Sequence, residues 1–159
     1  MTTMTTRTRH PAGTSTGGQF APEAHAEPEV ALGSPESTPE TTESGTVRWF
    51  DGAGRLHRTD GPAVEYASGA WAWYQHGKRH RADGLPATMT DDGTLEWYQA
   101  GYLHREGGPA VVYPTGTTIW YRFGRFHRDG GPAIERADGS QEWWIDGQQV
   151  EAPTSPLAD

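Results

Sequence analysis

The sequence predicts an all-β fold, a repeat array of antiparallel β-hairpins with a period of about 23 residues, forming one elongated twisted sheet behind a disordered N-terminal arm. Three observations predict it. The run His-Arg-x-x-Gly-Pro-Ala, with one slip, is written four times from His57, His80, His104 and His127, in steps of 23, 24 and 23 residues. A Trp keeps the same step at Trp49, Trp73, Trp97, Trp120 and Trp143. Doublets ending in Gly punctuate each unit twice, as Ser68-Gly69 and His76-Gly77 do in one of them. A period this short marks a repeat architecture, so most recurring residues are first read as scaffold.

Residues 1–45 are rich in Thr, Ser, Pro, Gly, Ala and Glu and hold one aromatic, Phe20. Such a segment buries too little apolar surface to offset its ordering entropy, and it is read as a disordered arm. Residues 46–150 hold all seven Trp and all six Tyr and are read as the folded domain, with 151–159 as a tail. Within a unit, Pro62 opens a short strand at a position where its missing N–H is not needed. Ser68-Gly69, Asp92-Gly93, Thr115-Gly116 and Asp138-Gly139 are expected to be two-residue type I′ turns. That turn sets Val64 opposite Trp73, Thr88 opposite Trp97, Val111 opposite Trp120 and Ile134 opposite Trp143. On the other face it sets Ala63 against Tyr74, Ala87 against Tyr98, Ala110 against Tyr121 and Ala133 against Trp144. It also sets Glu135 opposite Glu142, a small local penalty. The Trp face, with Val47, Val64, Tyr66, Trp71 and Leu95, is the expected core. His76-Gly77 and its equivalents at Gly101, Gly124 and Gly147 turn the chain back toward the next corner. Nine main strands at ~4.8 Å spacing make a sheet about 40 Å long.

The net charge of −8 sits mostly outside the repeats, where 11 basic residues face 13 acidic ones. The domain therefore offers no basic stripe to a nucleic-acid backbone. No apolar run approaches the ~18 residues that cross a bilayer, and no apolar segment follows Arg7 and Arg9, so neither membrane insertion nor secretion is expected and a cytoplasmic location is the default. The absence of Cys excludes disulfides and thiolate metal sites.

The pattern Tyr74-x-x-Gly77-Lys78-Arg79-His80, followed by Ala82-Asp83-Gly84 at this period, resembles MORN-type repeats. It is closest to the variant repeats of bacterial and phage proteins, some of them labelled antitoxin or immunity proteins. The resemblance covers about residues 46–150 and implies an elongated, twisted antiparallel sheet. It departs from the common MORN pattern, which has Gly-x-Gly where this chain has His-Arg-x-x-Gly-Pro-Ala. The stretch containing Gly17, Gly18, Gln19 and Phe20 looks like a short leader that precedes unrelated domains in some high-GC bacterial and phage proteins, and Phe20 is a candidate linear-motif anchor.

Three functional readings stand side by side. The first is a non-enzymatic protein-interaction module, an accessory protein of immunity, antitoxin or inhibitor type. Its surface would be the Tyr face (Tyr74, Tyr98, Tyr121, Trp144) and a ridge of His57, His80, His104, His127 with Arg58, Arg81, Arg105, Arg128, suited to an anionic partner or else solvated by its own acids. The second is a structural component that self-associates through its sheet edges. The third uses the His ladder to hold a ligand or metal. Two arguments weigh against a metal: successive corners stand ~10 Å apart in one sheet, and the neighbouring acid moves from three residues after His (Asp60, Asp83) to two (Glu106, Asp129). Catalysis is not expected, because each His–Asp pair recurs as scaffold residues do and a catalytic dyad does not. No cofactor is called for.

Overall fold

The structure, a computed structural model, describes residues 37–153. The candidate motif at Gly17, Gly18, Gln19 and Phe20 and most of the expected arm and tail lie outside the described residues. All regular structure among the described residues is β. Among the described residues no helix is long and apolar enough to cross a membrane.

The strands are β1 (Thr38–Thr41), β2 (Val47–Phe50), β3 (Val64–Glu65), β4 (Trp71–Ala72), β5 (Tyr74–Gln75), β6 (Lys78–Arg79), β7 (Thr88–Met89), β8 (Leu95–Glu96) and β9 (Tyr98–Gln99). They continue as β10 (Tyr102–Leu103), β11 (Val111–Val112), β12 (Thr118–Ile119), β13 (Tyr121–Arg122), β14 (Arg125–Phe126), β15 (Ile134–Glu135), β16 (Gln141–Ile145) and β17 (Gln148–Val150). Eleven of them form one open antiparallel sheet in the order β1-β2-β3-β4-β7-β8-β11-β12-β15-β16-β17. The pairs β5-β6, β9-β10 and β13-β14 stand beyond it as two-stranded ribbons. Each ribbon begins one residue past a sheet strand, at the repeating Trp. There the backbone changes partner: Trp73 N–H donates to the Ala87 carbonyl at 2.7 Å, while its own carbonyl accepts from His80 N–H at 3.2 Å. In the last unit no corner follows, and β16 runs unbroken through Trp143 and Trp144.

β1 lies inside the segment that composition assigned to the arm. It pairs with β2 from Thr38–Phe50 to Thr41–Val47, and all four of its side chains are exposed. Composition counts side-chain burial, and this strand is held by backbone hydrogen bonds alone.

The first turn differs from expectation. Tyr66 N–H donates to the Ala70 carbonyl at 2.9 Å, so three residues, not two, lie between the strands. In this doublet only Gly69 has positive φ, 95°. This is the three-residue hairpin loop, a type I turn closed by a left-handed Gly. The type I′ turns are the second doublets: His76-Gly77 (48°, 80°), Ala100-Gly101 (51°, 92°), Phe123-Gly124 (46°, 79°) and Asp146-Gly147 (51°, 83°).

One extra loop residue moves the register by one and exchanges the faces of one strand. Val64 therefore pairs with Ala72, Thr88 with Glu96, Val111 with Ile119 and Ile134 with Glu142, and none of the four pairs with a Trp. Glu135 pairs with Gln141, so the Glu–Glu penalty does not arise, and Glu142 instead ion-pairs Arg136. Carried one residue further, the register sets each Ala of Gly-Pro-Ala beside Trp rather than Tyr. Trp49, Trp97 and Trp120 N–H donate to Ala63, Ala110 and Ala133 carbonyls at 2.8, 2.8 and 2.7 Å. Ala63, Ala87, Ala110 and Ala133 are 0% exposed. A small residue does face a large ring in every unit, but the ring is indole. Val64 and Tyr66 move to the Tyr face, while Val47, Trp71 and Leu95 stay with the Trp row. Val64, Ala72, Thr88, Val111 and Ile134 bury the opposite side, so the core is shared between both faces.

Candidate functional site

Three of the four corners return the chain from a ribbon to the sheet, and the first follows the single bridge between Phe50 and Leu56. The second Trp hydrogen bond recurs: His57, His104 and His127 N–H donate to the Trp49, Trp97 and Trp120 carbonyls at 2.9, 3.0 and 3.2 Å. The following Arg folds over that same Trp. The guanidinium carbons of Arg58, Arg81, Arg105 and Arg128 lie 4.0, 4.2, 4.0 and 4.2 Å from the ring centroids of Trp49, Trp73, Trp97 and Trp120. Each also donates through Nη1 to the carbonyl of the corner Pro, at 3.3 Å to Pro62, 3.0 Å to Pro86, 3.3 Å to Pro109 and 3.0 Å to Pro132. At three corners the Gly before Pro makes room for this, while at the second Leu85 stands there. A Cβ at Gly61 would fall 2.6 Å from Arg58 Cζ, and one at Gly131 2.7 Å from Arg128 Nε. Cation–π stacking contributes roughly 0.5–2 kcal/mol and a charged hydrogen bond about 1.5–3 kcal/mol.

The Arg residues are thus a clasp, and the solvent-facing charge of the corners is acidic. The side chains of Arg58 and Arg128 are 21% and 26% exposed, those of Asp60 and Asp129 80% and 83%. Arg58 pairs with Asp60 and Glu65 at 2.9 and 3.1 Å, and Arg128 with Glu135 at 3.1 Å.

The His residues brace the next type I′ turn. Nδ1 of His57, His80 and His127 accepts the backbone N–H of His76, Ala100 and Asp146 at 3.2, 3.4 and 3.1 Å. His57 stacks on His76 at 4.2 Å, and His104 on Phe123 at 4.1 Å. His104 is the exception in hydrogen bonding: among the described residues neither of its ring nitrogens has a partner. Successive imidazoles serve successive turns and converge on no common point. Among the described residues no group of three or more His, Cys, Asp or Glu is placed to hold a metal ion. At the irregular first corner Asp51 adds to the bracing, its carboxylate meeting His76 Nδ1 at 3.0 Å. Hydrogen bonds from His76 first, then from Arg55 and Ala53, hold its carboxyl far below the ordinary carboxylate range.

Tyr74, Tyr98, Tyr121 and Trp144 share one face, each half-buried and tied to neighbours. Arg79 donates to the hydroxyls of Tyr74 and Tyr98 at 3.1 and 3.0 Å, and Tyr98 donates to Glu96 at 3.2 Å. The Phe126 ring sits between Tyr121 at 4.7 Å and Trp144 at 5.3 Å. Burial pushes the Tyr98 and Tyr121 hydroxyls up.

Between successive corners the surface opens into clefts of about 260, 290 and 550 Å³, in chain order. The repeat also builds a feature that motif reading missed. A residue that follows a left-handed turn Gly rests over the type I′ Gly of the next unit: Arg55, after Gly54 in the irregular first loop, over Gly77, Lys78 over Gly101, Tyr102 over Gly124 and Arg125 over Gly147, at 3.4–3.7 Å from where a Cβ would stand. Along this turn edge Tyr102 and Phe123 are 59% and 56% exposed, more than the other large hydrophobic residues described. The two rings border one cleft of about 340 Å³ with Arg122, Arg125 and Asp146. The available signal was a single departure: Phe123 occupies a left-handed position where the other units have His, Ala and Asp.

Scans against protein-family models, curated proteins and solved structures return no match to this chain.

Proposed function

We propose that the array is a non-enzymatic protein-interaction module, a variant MORN-type accessory protein of bacterial or phage kind, acting in the cytoplasm as an immunity or inhibitor-like factor. The observation that carries the reading is the side-by-side exposure of Tyr102 and Phe123 on the turn edge of a rigid hairpin scaffold. Large rings left in solvent mark interaction sites and supply anchors of high binding energy. The recurring His, Arg and Tyr residues hold the scaffold, and His104 stacks on Phe123 within it.

The test is affinity capture from a native lysate of the source cells with the full chain and with a Tyr102→Ser, Phe123→Asn double variant. A partner retained by the first and lost by the second, at unchanged melting temperature, supports the module. Identical partner sets on both baits would remove this surface from consideration.

A second reading is favoured by one observation. β17 closes the sheet with every residue exposed, Val150 at 41%, and presents an open edge. On that reading copies join edge to edge. Light scattering across a hundredfold range of concentration separates the two, since a constant monomer mass excludes edge assembly.

A further inference from the structure

We infer that the turn edge docks an acidic protein surface, a partner presenting Asp or Glu side chains beside an apolar one. This deepens the interaction-module reading and rests on it. Four side chains recur at one position per unit along this edge, and three of them are cationic: Arg55, Lys78 and Arg125, with Tyr102 the fourth. Successive units stand two strands, or ~10 Å, apart. Their charges are not equally available. Arg55 is engaged by Asp51 at 2.9 Å. Lys78 and Arg125, which bracket Tyr102 in the row, make no ion pair among the described residues. Asp146, the carboxylate bordering the same cleft, is taken up by Arg122 at 2.6 Å.

The edge therefore presents two cations outside any ion pair among the described residues, set around a pair of exposed rings. Asp146, held below its ordinary range first by Arg122, has Arg125 as a weaker neighbour. A carboxylate-bearing partner meets Lys78 and Arg125 while an apolar side chain enters the Tyr102–Phe123 cleft, so electrostatic and apolar recognition coincide. The corner Arg residues, half-buried and stacked on Trp, offer nothing comparable. A long polyanion fits less well. The corners of the array turn Asp60 and Asp129 outward, so a long phosphate chain running past the edge would meet carboxylates. Phosphate-backbone binding needs a longer run of free cations than this edge supplies.

Fluorescence anisotropy on the full chain tests the inference with three labelled probes. One is an eight-residue peptide of Asp and Glu around a single Phe, one the same peptide with Lys in place of each acid, and one a twelve-nucleotide oligo-deoxythymidine. The acidic peptide is expected to bind saturably, weaken with added salt, and lose about tenfold or more in affinity in a Lys78→Glu, Arg125→Glu variant that melts like wild type. No saturable binding of the acidic peptide, equal binding of the Lys peptide, or unchanged affinity in the variant would overturn it. Tighter binding of the oligonucleotide would reassign the edge to nucleic acid. The parent reading fails separately. A captured partner that is lost with Tyr102→Ser, Phe123→Asn but kept with Lys78→Glu, Arg125→Glu leaves the module standing and removes only the acidic partner.

Discussion

At the scale of single residues, the corner Arg and the left-handed turn residues carry opposite lessons. Arg105 has no acidic partner among the ion pairs described, so its worth lies in the Trp97 stack and the Pro109 carbonyl. A flat guanidinium lies over the ring and donates to the carbonyl at once, which a compact ammonium matches poorly. Arg105→Lys is expected to destabilise by about 1–2 kcal/mol although the charge is kept, read as a shift in denaturant midpoint. Ala100 sits at φ 51°, which costs an Ala roughly 1 kcal/mol and an Asn less. Ala100→Asn should therefore stabilise by about 0.5–1 kcal/mol and raise the melting temperature by a few degrees. Asp51 adds a pH dependence. Its folded-state pKa is depressed below the unfolded value, so its stabilising effect is complete above the ordinary carboxylate range, near ~4, and is lost as pH falls through the folded value. Asp51→Asn should melt below wild type at pH 7, and the two curves should converge in strong acid. A gap that persists unchanged to low pH would contradict the assignment.

At the scale of elements, the hairpins were legible and their turn types were not. The period, the Trp step and the doublets locate every strand pair from β3 to β16 within a residue or two. Asp92-Gly93 and Asp138-Gly139 carry the type I′ signature yet close three-residue loops, while Ala100-Gly101 and Phe123-Gly124 lack it and form type I′ turns. Both loops place Gly in the left-handed region. The difference is the φ of the residue before it, and at each type I′ turn a corner His contacts that residue: it accepts the N–H of His76, Ala100 and Asp146, and it stacks on the ring of Phe123. A doublet read alone carries no trace of that contact, so the register came out one residue off. The same limit hid the clasp, since Arg and Trp eight or nine positions apart meet only once the corner folds back. The Tyr row follows from the corrected packing. Tyr121, stacked on Phe126 and half-buried, should cost about 2 kcal/mol when truncated to Ala. An unaltered melting temperature would return that ring to the surface.

At the scale of the molecule, the repeats build a scaffold by passing one backbone between two sets of partners. Trp N–H and C=O join sheet to ribbon, and the type I′ Gly N–H joins ribbon to ribbon: Gly77, Gly101, Gly124 and Gly147 donate to Leu56, Arg79, Leu103 and Phe126 carbonyls at 2.8–2.9 Å. Each unit thus leans on its neighbours, as in other quasi-linear repeats. The most repeated residues serve that continuity, and the turn edge, where the units differ, carries the surface proposed for a partner. Repetition in this chain marks structure, and departure from repetition marks the candidate site. The most direct test is a double-mutant cycle on Trp97→Leu and Arg105→Gln, followed by equilibrium unfolding of all four proteins. The clasp predicts a coupling of about 1–2 kcal/mol between the two changes. Coupling within ~0.3 kcal/mol of zero would mean that the Arg does not hold the Trp, and that the recurring pair is conserved along the chain for some purpose other than the fold.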